Sequence, residues 1–264
     1  MSSTQDTQNW PPRRVIVLGA SNVVRGISTL IQTVRQASEG PFDLLAAVGH
    51  GRGYLSPSWV LGRWLPSIVD CGLWKALDER PGSPTSVLIT DVGNDLLYGA
   101  NVDQIIRAVE ICLQRLVPRC ERITMTGIPR DSLQHLTPRR FQLLRRVLFP
   151  TSRLTWQDAL AATEELNGRM MELASRLGID FRQPVSAWYG FDPIHIRRVH
   201  YGRAWSEFLA KWQGKEGFSP VPGSWWLWFY LHVQRPQRRG LFGFVQHRVQ
   251  PTCRLSDGTL VSLY

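Results

Sequence analysis

Lysine is scarce in this chain. Of 31 basic residues only Lys75, Lys211 and Lys215 are lysines, so the formal charge of +10 is carried almost wholly by arginine. Arginine grips anions bidentately where lysine acts as a point charge. A positive excess alone still admits nucleic acid, a membrane surface or an acidic substrate. The four cysteines (Cys71, Cys112, Cys120, Cys253) form no C-x-x-C and have no ligand-like spacing to histidine. That argues against a zinc site and makes reduced, packed thiols the expectation. The longest apolar run, residues 225–231, is far shorter than the roughly 20 residues that cross a bilayer. The first residues are polar, without the apolar core of a secretory leader, so a cytoplasmic protein is expected. With 43% hydrophobic residues over 264 positions, the chain can bury a large core and general disorder is excluded.

Short apolar runs alternate with stretches of helical period. Residues 15–18, 44–48, 86–91, 123–126 and 179–181 read as strands, and residues 23–37, 102–116, 159–177 and 200–212 as helices. Uniformly apolar strands separated by helices predict a parallel sheet covered on both faces, a flavodoxin-like three-layer α/β/α domain over residues 14–218. Residues 1–13 read as a flexible N-terminus. Residues 130–153 are basic and apolar, a candidate insertion or lid between the fourth strand and the long helix. Residues 219–264 form an aromatic and basic extension with no helical period, read as a strand or extended arm. Within it, Asp257-Gly258 between apolar runs marks a hairpin.

Ligand sites in such folds gather at the carboxyl ends of the strands. Ser21 follows the first strand and opens a helix, where it is either an exposed hydroxyl or an N-cap. His50, Gly51 and Gly53 follow the second strand, and glycines there let main-chain N–H groups approach a ligand. Asn94, in Gly93-Asn94-Asp95, can turn an amide toward a reacting oxygen. Asp192 and His195, three residues apart, suit a histidine base oriented by a carboxylate.

In this chain order the residues resemble the SGNH (GDSL-like) hydrolases. The first block reads Gly19-Ala20-Ser21-Asn22, with Ala20 where the family has Asp; the later blocks read Val92-Gly93-Asn94-Asp95 and Asp192-Pro193-Ile194-His195. The resemblance spans residues 14–213. It implies a serine esterase acting on a small-molecule carboxylic ester through an acyl-enzyme. Ser21 would be the nucleophile, His195 the base and Asp192 its orienting acid. The Ser21 and Gly51 N–H groups and the Asn94 amide would form the oxyanion hole. Gly49 and Gly53 are alternatives to Gly51, and His50 and Gly53 are candidate substrate contacts. No metal or organic cofactor is implied, and an acyltransferase with the same triad or a non-catalytic binding module remain the alternatives.

The opening strand and turn also look like those of a short-chain dehydrogenase. However, G-x-G-x-x-G is absent after Gly19 and no Tyr-x-x-x-Lys occurs. Charge narrows the partners. Residues 130–153 hold six Arg and one Asp, and residues 219–264 five Arg and one Asp, so +9 of the +10 lies outside the family blocks. Nucleic acid is therefore not expected. The 219–264 segment is a candidate contact with an anionic surface or a second copy of the chain.

Overall fold

The computed structural model describes residues 10–38, 40–60, 62–213 and 219–264. Most of the expected N-terminal tail, residues 1–9, lies outside these, but Trp10 does not trail free: the Arg80 guanidinium stands 4.6 Å from its ring centre. Strand β1 (Arg13–Leu18) follows at once. The succession continues with α1 (Ser21–Ala37), β2 (Phe42–Ala47), β3 (Ser58–Val60), β4 (Arg63–Leu65), α2 (Leu73–Glu79), β5 (Thr85–Ile89), α3 (Asn94–Leu97) and α4 (Val102–Leu116). Then come β6 (Arg122–Thr126), α5 (Arg130–Gln134), α6 (Pro138–Leu148), α7 (Trp156–Leu177), β7 (Asp180–Arg182), α8 (Tyr201–Phe208), α9 (Trp225–His232), β8 (Arg238–Leu241), β9 (Phe244–His247), β10 (Cys253–Arg254) and β11 (Leu260–Leu263).

The main sheet runs β10-β11-β2-β1-β5-β6-β7, parallel throughout except for β10 against β11. Its strands are apolar on both faces because both faces are covered. Ile16, Leu18 and Val87 pack toward α4 and α7, while Val15, Val17 and Leu44 pack toward α1 and α8. The chain turns one way from β1 to β2 and the other way from β1 to β5. A crevice therefore opens between the ends of β1 and β5, where open α/β sheets hold ligands.

The C-terminal segment is woven into the fold. The Asp257-Gly258 turn closes the β10–β11 hairpin as the sequence predicts, and β11 pairs in parallel with β2. The hairpin β8–β9 joins β3 and β4 in a second, antiparallel sheet of order β3-β4-β8-β9. Residues 225–232 are helical, not the expected strand or arm. Their side chains are apolar all round the helix, so no 3.6-residue alternation marks them.

A buried ionic knot ties this edge down. Asp43 on β2 accepts from Arg14 Nε (3.0 Å) and Arg80 Nη1 (2.7 Å), and Arg80 Nη2 donates to Ser262 on β11 (2.7 Å). At the other end of the segment, His232 of α9 meets His50 with ring centres 6.3 Å apart, and Trp228 stacks on His232. Burial first, then the neighbouring His232 and Arg63 charges, depresses the His50 pKa from its ordinary 6.5 to about 4.

Removing Asp43 strands two buried guanidinium groups. Asp43→Ala is expected to lose about 3–5 kcal/mol in urea unfolding. His50 folds neutral, so its stabilisation is complete above pH 6.5 and is lost as pH falls from 6.5 toward 4. Carboxylates such as Asp192, held below the ordinary range, lose theirs only at lower pH. Melting temperature against pH should therefore fall less across the 6.5-to-4 window in His50→Gln than in the parent.

Candidate active site

Helix α1 starts without help from its own side chains. Ala20 occupies the N-cap position, no side-chain cap is made, and the first turn holds no acidic residue. The unpaired N–H groups at the helix start are met instead by Asp91, just past β5, whose Oδ2 accepts from Ala20 N (2.9 Å) and Asn22 N (3.1 Å). Asp91 reaches them from a left-handed backbone, φ 59°, a conformation aspartate adopts more readily than most residues. Burial raises its pKa, against the pull of the Asn22 and Ala20 hydrogen bonds and the His195 charge. The Ser21 hydroxyl is thus released from capping.

It is used elsewhere. Ser21 Oγ lies 2.7 Å from His195 Nε2, and His195 Nδ1 lies 2.5 Å from Asp192 Oδ2. With the ring proton on Nδ1, the hydroxyl donates to the imidazole and the imidazole donates to the carboxylate. Burial works against Asp192 ionising. The His195 hydrogen bond and charge, the Ile194 N–H and Arg25 at 3.7 Å outweigh it and hold the pKa below the usual carboxylate value. Asn22 fixes the histidine loop to the serine turn: its Nδ2 donates to Asp91 Oδ1 (2.8 Å) and Ile194 O (2.9 Å), and its Oδ1 accepts from Ile196 N (2.8 Å). Residues 174 apart in sequence are held together by one side-chain amide.

Ser21, Asp91 and Asn94 face a cavity of about 100 Å³ with a largely apolar wall that includes Leu97, Ile128 and Tyr189. Leu133 of α5, Phe141 of α6 and Leu154 line one side of it, so the basic segment at 130–153 holds two helices that contribute to the cavity wall. Asn94 Nδ2 donates one hydrogen to Arg52 O (2.9 Å), leaving its second N–H for another acceptor.

The loop after β2 is held from several sides. Gly51 adopts φ 64°, and its carbonyl accepts from Tyr98 Oη at 2.7 Å; burial keeps that phenol protonated, its pKa pushed up to about 12. Arg52 is wholly buried, its guanidinium on main-chain oxygens of Val48, Pro66 and the C-terminal Tyr264. Gly53 faces the Asp95 carboxylate, which would lie 2.4 Å from an added Cβ and which accepts N–H bonds from Tyr54, Leu55 and Ser56. The candidate residues therefore divide. Ser21, Asp192 and His195 form one hydrogen-bonded chain, and Asn94 shares the cavity with Ser21. His50, Gly51 and Gly53 all lie in the anchored loop and none is part of the cavity wall: Gly51 packs against Val60 and Tyr98, His50 meets His232, and Gly53 serves the Asp95 turn.

Asp91 and Asn22 were not among the expected residues. A signal existed: α1 has no acid of its own in the first turn, and an aspartate ends the neighbouring buried strand.

No family model matches the chain, and no curated protein matches it. Solved structures do. The native aryl esterase of M. smegmatis is 12% identical with a TM-score of 0.50, over 73% of this chain and 94% of that one. A GDSL-like lipase from Bacteroides thetaiotaomicron is 13% identical with a TM-score of 0.43, over 70% and 80% of the two chains. TesA is 15% identical with a TM-score of 0.45, over 74% and 95%. At such identities the likeness is one of architecture: the chain shares an α/β fold with the aryl esterase.

Proposed function

We propose that this protein is a serine hydrolase of carboxylic esters working through an acyl-enzyme. The observation that carries the reading is the Ser21–His195–Asp192 hydrogen-bonded chain, with its hydroxyl and Asn94 on one apolar cavity. Ser21 Oγ attacks the ester carbonyl while His195 Nε2 takes its proton, and Asp192 stabilises the imidazolium that results. The carbonyl oxygen becomes an oxyanion that accepts from the Ser21 N–H, the spare Asn94 N–H and the Gly51 N–H. Each such donor contributes about 3–4 kcal/mol to the transition state. His195 returns the proton to the leaving alcohol, and the same histidine then activates water to release the acid and regenerate Ser21. The apolar cavity wall suits an acyl chain.

Two measurements test this. Ser21→Ala should lower kcat for a short p-nitrophenyl ester by roughly a thousandfold or more and abolish labelling by a fluorophosphonate probe; an unchanged rate would overturn the assignment. Asp91→Asn, which weakens the hold on the start of α1 and on Asn22, should lower kcat by roughly ten- to a hundredfold and change KM less, because both ends of the Ser21–His195 hydrogen bond shift.

A further inference from the structure

One face of α9 is largely exposed among the described residues. Trp225, Trp226, Phe229, Tyr230 and Val233 follow an i, i+1, i+4, i+5, i+8 spacing that places them on one side of the helix, with Trp226 81% and Phe229 58% exposed. Leu231 on the opposite side is buried, and Leu227 and Trp228 are partly so, which anchors the helix against the domain. Beside this face runs a groove of about 410 Å³ bordered by Arg25, Arg198, Arg203, Trp225 and Trp228. Arg203 is paired with Glu207 at 2.8 Å, and Arg25 stands 3.7 Å from Asp192. Arg198 has no ion-pair partner among the described residues; its guanidinium lies 4.1 Å from the Trp225 ring centre, and Val199 next to it is 75% exposed.

We infer that α9 and the arginine groove form a docking surface for an anionic lipid bilayer. Tryptophan, tyrosine and phenylalanine on one helix face suit the headgroup boundary, and arginines around them suit lipid phosphates. The charge selects this occupant over a second copy of the chain. The groove carries Arg25, Arg198 and Arg203, and a two-fold dimer through this face would set these arginines against their own copies. A bilayer of anionic lipid supplies the opposite sign across the whole patch. Docked in this way, the protein holds Arg25, and with it Asp192, beside the membrane surface. The docking itself does not depend on the hydrolase reading.

The test is co-sedimentation of the full chain with phosphatidylcholine vesicles, with and without phosphatidylglycerol, at low and high salt. Binding is expected to the phosphatidylglycerol vesicles at low salt and to weaken as salt rises. It should fall at least roughly tenfold in Trp226→Ala/Phe229→Ala, whose side chains are exposed, with melting temperature unchanged. Arg198→Gln should weaken it separately. Three results would overturn the proposal: no binding by the parent protein at low salt, binding that survives the double substitution, or a concentration-dependent dimer that the same substitution breaks.

Discussion

The Asp91 carboxylate underlies the geometry of the whole site. A helix that starts on Ala20 has unpaired N–H groups, and a serine next in line would ordinarily be drawn into capping them. By taking the Ala20 and Asn22 N–H groups on one oxygen, Asp91 fixes the helix start and leaves the Ser21 hydroxyl for His195. Its other oxygen holds Asn22, and Asn22 holds the loop that carries His195. The same carboxylate thus sets both ends of the Ser21–His195 hydrogen bond. Ala20 brings no carboxylate of its own to the serine turn, and Asp91, just past the neighbouring strand, supplies one.

A second constraint comes from the far end of the chain. Strand β11 extends the sheet beyond β2, Ser262 joins the Asp43 knot, and Tyr264 receives the Arg52 guanidinium beneath the loop that carries Gly51. The β8–β9 hairpin and the β3–β4 hairpin form one small sheet beside that loop, with Val60 against Gly51. The surroundings of the site are therefore shaped by residues more than 200 positions away from the serine.

Legibility followed the physics of each segment. Strands β1, β2, β5 and β6 were readable because they are buried on both faces and hence predominantly apolar or threonine-bearing, and α4 because its apolar positions recur with helical period and Asn101 caps it. The three-residue strands β3 and β4 are too short for any period to register. Helix α9 was misread for the opposite reason, since a segment apolar at nearly every position has no alternation to detect. Ser21, Asn94, Asp192 and His195 stood out because each sits at a strand end or loop with a residue type suited to proton transfer or oxyanion binding. Asp91 and Asn22 did not, since an aspartate after a strand reads as an ordinary turn residue.

The sequence by itself determined the parallel α/β core, its order of strands and helices, the β10–β11 turn and the residue types available at the strand ends. These depend on local apolar pattern and turn chemistry, which the chain carries at every position. The tertiary structure alone decided which of those residues meet. The 2.7 Å contact between Ser21 and His195 joins residues 174 apart and depends on the way the chain diverges from β1 to either side of the sheet. It also decided that the aromatic C-terminal segment would be a helix with one face left open, because packing against α1 selects which side of an all-apolar helix is buried.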